Sequence, residues 1–236
     1  MKSAYVFARR ALLSKLKHLL LPIRIRFALR DRPSPVLVEV GANDGNTGDP
    51  LYRLIRNNQY GKALLIEPIP YLFDRLRVTY SGCRHCMLVN VAIAPTAGMM
   101  PIYYIDPRAR ERLPDLPPYF EELASFDRYR VANVLGDRGA SLLCERLVRT
   151  VPLKALLAEY RVTDVDLLQI DTEGYDYEIL KSFPFDTIAP ALVCFEHCHL
   201  CEADRVSAVS LMVGYGYRME KWGKDFVCVR TALLES

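Results

Sequence analysis

Two groups of acidic side chains carry most of the chemistry this chain can offer. The first lies in Val36-Leu-Val-Glu39-Val-Gly41-Ala42-Asn43-Asp44-Gly45, and its companion is Glu67-Pro68 at the end of Ala63-Leu-Leu-Ile. In each, an apolar run ends in an acid, as a buried parallel strand does where it hands over to a ligand-binding turn. Gly41 and Gly45 let the backbone turn sharply and come close to a ligand. Glu67, 22 residues beyond Gly45, is suited to gripping ribose hydroxyls from a second strand tip. The second group lies in Leu167-Leu-Gln169-Ile-Asp171-Thr-Glu173-Gly174-Tyr175-Asp176 and in Leu192-Val-Cys-Phe-Glu196-His197. If those two strands are neighbours, their tips lie about 5 Å apart. Asp171, Glu196 and His197 would then converge beside the first site, with Glu173 in the turn.

The type of ligand follows from the loop. It reads E-x-G-x-x-x-G, with neither the G-x-G-x-x-G of a dinucleotide site nor the G-K-[ST] of a P-loop. Acids at 39 and 44 repel a pyrophosphate and suit a cationic ligand with a free amine. S-adenosylmethionine, with a sulfonium and an ammonium, is such a molecule. The second group admits two readings. Asp171, Glu196 and His197 could hold a hard divalent ion such as Mg²⁺, which acidifies a substrate hydroxyl. Alternatively, His197 takes the hydroxyl proton itself as general base. Blander roles are a histidine satisfied by backbone partners and a glutamate that caps a helix.

These strands must be held by an α/β frame. The periodicity predicts strands at 36–40, 63–66, 87–93, 167–170 and 191–195, with helices near 49–58, 70–79, 153–160, 175–182 and 202–213. Such alternation specifies a mostly parallel sheet with helices on both faces. The tail from Gly216 to Arg230 reads as an antiparallel hairpin turning at Gly223-Lys224. Residues 99–150 break the rhythm. Met100–Ile105 reads as an extra strand, Leu113–Pro118 as a bend, and the aromatic and arginine residues of Phe120–Val131 as material for a lid or substrate pocket.

The 236 residues, 51% hydrophobic and 25% charged, suffice for one sizeable core. The net charge of +3 is unevenly spread: residues 1–32 hold nine Lys or Arg against Asp31, a net +8, which leaves −5 for the rest. That acidic body speaks against a nucleic-acid partner. The basic head, residues 1–32, is expected as a separate helical segment ahead of a domain at 33–236. Tyr5, Ala8, Leu12, Leu16 and Leu19 recur in it at helical spacing until Pro22 interrupts. It could pack on the domain, serve as a transit peptide or make a peripheral contact with an anionic membrane surface. It has no run of ~18 apolar residues for a span. Seven cysteines, an odd number, suit reduced thiols in a cytoplasmic setting. The pairs Cys83-x-x-Cys86 and Cys198-x-x-Cys201 fall at opposite edges of the expected sheet, about 20 Å apart. They cannot share one zinc ion, and only a local site with His85, His197 or His199 remains open.

With V-E-V-G-A-N-D-G, L-I-E-P, V-N-V-A-I (89–93), V-P-L-K-A-L-L (151–157) and L-L-Q-I-D-T-E-G-Y-D in this order, the chain resembles the FkbM-type methyltransferases over about residues 36–200. The resemblance implies a Rossmann-like class I sheet ordered 3-2-1-4-5-7-6. It also implies transfer of a methyl group from S-adenosylmethionine to a hydroxyl of a small metabolite, natural product or sugar. By the same resemblance Glu39, Gly41, Ala42, Asn43 and Asp44 line the methionine end, Glu67 and Pro68 the ribose, and Asn90–Ala92 the adenine, with Asp171 alongside. Gln169 stands where relatives often have lysine, and Tyr175-Asp176 where Ala-Glu is commoner. One rival is another nucleoside-cofactor enzyme, against which the missing G-x-G-x-x-G speaks. The other is a nucleoside-binding protein without methyltransferase activity, held at a membrane by its basic head.

Overall fold

The computed structural model describes residues 20–117 and 120–233. Its centre is a seven-stranded sheet built from β1 (Val36–Val40), β2 (Lys62–Ile66), β3 (Cys86–Val89), β8 (Leu167–Ile170), β9 (Leu192–Glu196), β10 (Tyr217–Trp222) and β11 (Asp225–Arg230), numbered in chain order. The spatial order is β3-β2-β1-β8-β9-β11-β10. Counted alone, these seven strands follow the expected 3-2-1-4-5-7-6. Five are parallel, with Glu39 paired to Leu65 on one side and Gln169 on the other. β11 runs antiparallel to β9, and β10 to β11, through the turn at Gly223-Lys224.

Period-two alternation decides which face each apolar residue buries. Val38, Val40, Leu64, Ile66, Leu168 and Ile170 meet α6 (Leu153–Glu159), α7 (Asp176–Ser182) and α8 (Glu202–Gly214). Leu37, Ala63, Leu65 and Leu167 face the other way, onto α2 (Tyr52–Arg56), α3 (Pro70–Thr79) and the helix α1 at residues 20–28. The strands are therefore apolar on both faces, as a doubly covered parallel sheet requires. α1 places Leu21, Ile25 and Leu29 in that core, and Arg32 pairs with the Asp166 carboxylate at 2.5 Å. The C-terminal part of the basic head thus packs as part of the domain. Its Tyr5–Leu19 stretch lies outside the described residues. Among the described residues no helix is long and apolar enough to cross a membrane.

The inserted region folds as a second, four-stranded sheet ordered β4-β7-β5-β6, from β4 (Ala92–Ile93), β5 (Gly98–Ile105), β6 (Ala124–Ser125) and β7 (Leu143–Val151). Two expectations are corrected here. Residues 87–93 are not one strand: the chain leaves the main sheet after Val89 and enters the second at Ala92. β7, nine residues long, was not anticipated, because Glu145, Arg146, Leu147 and Arg149 on it are exposed and interrupt the apolar pattern. α4 (Ala109–Arg112), a 3₁₀ turn at Phe120–Glu122 and α5 (Arg128–Leu135), capped by the Asp127 side chain on the Tyr129 N–H, fill the rest.

Candidate active site

The carboxyl ends of β1, β2 and β8 open into a crevice lined by Glu39, Gly41, Glu67, Gln169 and Asp171 from those three strands and the turns that follow them. The loop after β1 is wedged into the sheet: Gly41 N–H donates to the Ile66 carbonyl at 2.9 Å, and Asp171 N–H to the Val40 carbonyl at 3.0 Å. Gly41 has φ +87°, and a Cβ on it would lie 1.8 Å from the Asp171 carbonyl oxygen, so only glycine fits. Glu67 organises the opposite wall, accepting from Asn43 N–H at 3.0 Å and Ile69 N–H at 2.7 Å.

Glu39, Gly41, Ala42, Asn43, Glu67, Pro68, Ala92, Asp171 and Glu173 all line this crevice. Asp44 and Asn90 are turned to other work. The Asp44 carboxylate accepts from Asn46 N–H, Thr47 N–H and the Thr47 hydroxyl, which shapes the loop. The Asn90 amide donates to the carbonyls of Glu67 and Pro68, tying two strand ends together. Short polar side chains commonly satisfy nearby backbone in this way.

Charge at the β1–β2 end is one-sided. Glu39 is buried, and its carboxyl is held well above the usual range by burial first and by Asp49 next, with Asp171 and Glu67 adding to it. Burial also lifts Asp49 to about 6 and Glu67 to about 7. Asp49 was not anticipated as a crevice residue. It is held by the Tyr80 hydroxyl at 3.0 Å, a contact with no local sequence signal. Glu39 Oε2 and Gln169 Oε1 are buried without a hydrogen-bond partner, on cross-strand neighbours. Buried acceptors of this kind call for a donor, and a ligand ammonium would supply one. These residues fit S-adenosylmethionine.

The β8–β9 end is balanced internally. Lys224, from the β10–β11 turn, lies 3.2 Å from Asp171 and 3.1 Å from Glu196. Although burial opposes its charge, Asp171 and Glu196 carry the Lys224 ammonium above its ordinary range. Glu196, whose side chain is 1% exposed, is pushed up to about 9 by burial and then by Asp171. Arg130 of α5 pairs with Glu173 at 3.1 Å. Burial, and then Asp171, also holds the Glu173 carboxyl above its ordinary value.

His197 does not join this group. Its ring is buried and lies 4.4 Å from that of Phe226, tilted by 40°, and is not part of the crevice lining. The histidine that meets the carboxylates is His199, with Nε2 3.3 Å from Glu173 and 3.5 Å from Glu196. Glu196 is the last residue of β9, and the turn that follows sets His199 against the carboxyl groups and His197 against Phe226. The tentative metal set is corrected accordingly: the acidic atoms within 4.8 Å of one another belong to Asp171, Glu173 and Glu196, without His197. Lys224 already brings positive charge to two of them. Glu196, Cys198 and His199 also lie within that distance of one another. Burial, reinforced by Glu196, pushes the Cys198 thiol up to about 12, far from a ready thiolate.

Asp176 was not anticipated as more than a sequence departure. Fully buried, it accepts from the Thr172 hydroxyl at 2.9 Å, Gly174 N–H at 3.3 Å and Glu196 N–H at 3.0 Å. It clasps the turn after β8 to the end of β9. A second cavity adjoins the crevice, between α5, β6 and these strand tips, where Ser125, Arg130, Glu173, Glu196, His199 and Lys224 meet. The inserted region supplies its outer wall.

This sheet order, with a crevice outside the carboxyl ends of its parallel strands, defines a Rossmann-like α/β protein of the class I methyltransferase type. Residues 39–219 match the Methyltransferase FkbM domain family, and the chain belongs to it. Among solved structures it is similar to the FkbM methyltransferase from Methylobacillus flagellatus KT, at 11% identity and TM-score 0.50, over 83% of this chain and 44% of that one. It therefore spans under half of that protein's length. Other similar structures are a precorrin-6y C5,15-methyltransferase from Geobacter metallireducens (14% identity, TM-score 0.40, 84% of this chain and 71% of that one) and an O-methyltransferase from Bacillus cereus in complex with SAH (11% identity, TM-score 0.41, 92% and 80%). A search of curated proteins by sequence found no match.

Proposed function

We propose that this protein is an S-adenosylmethionine-dependent methyltransferase that methylates a hydroxyl group of a small molecule or sugar. The observation that carries the reading is the pole formed by Glu39, Asp49 and Glu67. Buried Glu39, whose leading charged neighbours are the acids Asp49, Asp171 and Glu67 and whose Oε2 lacks a partner, is suited to a cationic ligand beside Glu67 and Asp49. When bound, S-adenosylmethionine supplies a methyl group already activated on a sulfonium. Glu39 would then hold the ammonium and Glu67 the ribose, while Ala92 offers a small apolar contact to the base.

The protein's remaining tasks are to align an acceptor and remove its proton. His199 is the residue suited to the second. Burial, followed by Arg130 and Lys224, lowers it to about 4, so its imidazole is neutral and can offer a nitrogen lone pair to an acceptor hydroxyl, as a weak base while those two cations stand beside it. Glu173 and Glu196 flank Nε2; Glu173, when ionised, would stabilise the imidazolium that results, while Glu196, pushed up to about 9, would contribute a hydrogen bond. Lys224 would hold Asp171 and Glu196 in place without a metal ion. The adjoining cavity gives the acceptor a route in from the inserted region.

The test is a thermal-shift screen. S-adenosylmethionine and S-adenosylhomocysteine should each raise the midpoint, by mass action on the folded state, and NAD should not. Stabilisation by NAD alone would end this reading.

A further inference from the structure

The helix α1 carries apolar side chains on two faces, and the domain covers one of them. Leu21, Ile25 and Leu29 are 4% exposed or less, whereas Ile23 and Phe27, one turn apart, stand 64% and 58% exposed with Leu20 at 38%. Arg26 and Arg30 are exposed on this outer side, and the Arg30 guanidinium lies over the Phe27 ring at 4.4 Å. Neither aromatic nor aliphatic side chain here has a core to enter.

The sequence ahead of α1 extends the outer row, not the inner one. Tyr5, Ala8, Leu12, Leu16 and Leu19 step by threes and fours into Ile23 and Phe27. Traced back from Leu21, the inner row meets His18, Ser14 and Ala11. The same 32 residues carry the net +8, against −5 elsewhere. Apolar side chains in one row with Lys and Arg beside them suit the boundary between headgroups and acyl chains of an anionic bilayer. A polynucleotide would engage the cations and leave Ile23 and Phe27 in water.

We propose that the outer face of α1, with Leu20, Ile23, Arg26, Phe27 and Arg30, docks the protein peripherally on an anionic lipid bilayer. The test is cosedimentation of the full chain with phosphatidylglycerol–phosphatidylcholine vesicles, and with phosphatidylcholine alone. The wild type should bind the mixed vesicles, bind the neutral ones much less, and lose affinity as salt rises. The double variant Ile23→Ser/Phe27→Ser should bind at least roughly tenfold more weakly. Arg26→Gln and Arg30→Gln should each cost about fivefold. All four residues are exposed, so each variant should keep the wild-type thermal midpoint. Failure of the wild type to bind mixed vesicles at low salt would overturn the proposal, as would equal binding by Ile23→Ser/Phe27→Ser. So would two other occupants of the face: a polynucleotide bound in preference to vesicles, or a second copy, seen as concentration-dependent self-association that this double variant abolishes.

Discussion

Glu39, Asp49 and Glu67 line one end of the crevice with mainly acids for charged neighbours, whereas Asp171, Glu173 and Glu196 at the other end share Lys224, Arg130 and His199. Both ends bury carboxyl groups at strand tips of one parallel sheet. What differs is where the counter-charge comes from. At the β8–β9 end the hairpin turn and the inserted helix supply it from within the chain. Burial makes carboxyls at both ends hold their protons more tightly, Glu67 and Glu196 among them, but no side-chain cation is a leading influence on Glu39, Asp49 or Glu67, where a cationic ligand is the group that would favour ionisation. Under the proposed function, one pole would meet the charged donor and the other a neutral acceptor.

The sharpest way to probe this contrast is at the histidines. Once a hydroxyl acceptor has been found by screening, His199→Ala should lower turnover by on the order of 100-fold or more, the usual scale for losing a general base. His197→Ala should leave turnover near wild type and reduce stability by about 1–2 kcal/mol in urea unfolding, because it removes a buried ring contact. The reverse pattern would return the base role to His197.

A smaller but cleaner effect is expected in binding. Glu39→Gln keeps the shape and removes the charge, so affinity for S-adenosylmethionine by calorimetry should fall roughly 10- to 100-fold, the scale of one hydrogen bond to a charged group. Glu173→Gln, at the balanced end, should change it little. Equal losses from both would erase the distinction between the poles.

The unliganded protein should also show an unusual pH response. Glu67 and Asp176 are each pushed up to about 7 and Asp49 to about 6, all by burial first. Such a carboxyl keeps its proton in the folded chain at a pH where the unfolded chain has lost it. Between roughly pH 4 and 7 the folded state therefore binds more protons, and stability must fall as pH rises through that window. S-adenosylmethionine should flatten the decline by favouring the ionised form of Glu39 and Glu67. Stability that rises across the window would mean these acids find cationic partners on folding. The smallest effect belongs to Asn90→Ala, expected to cost about 1 kcal/mol through its lost backbone contacts while leaving ligand affinity unchanged. A drop in affinity would move Asn90 back toward the base.

Legibility followed burial. β1, β2, β8 and β9 are covered on both faces, so their apolar runs and terminal acids stand out in the sequence, and Glu39, Glu67 and Asp171 could be found there. β7 has an exposed face and reads as polar; residues 87–93 keep an apolar pattern across a change of sheet. Lys224 looked like an ordinary turn residue, because its partner Asp171 lies 53 positions earlier and only the order of the strands brings them together. His199 escaped for a related reason: a turn, whose path no periodicity describes, decides which of two nearby imidazoles faces the carboxylates.

The clasp made by Asp176 has a mechanical consequence. One oxygen of this carboxylate restrains the loop that carries Glu173, and the other restrains the main chain at Glu196. Any molecule that displaces either glutamate would strain both at once, and so would meet a stiff, two-sided resistance in place of one yielding side chain.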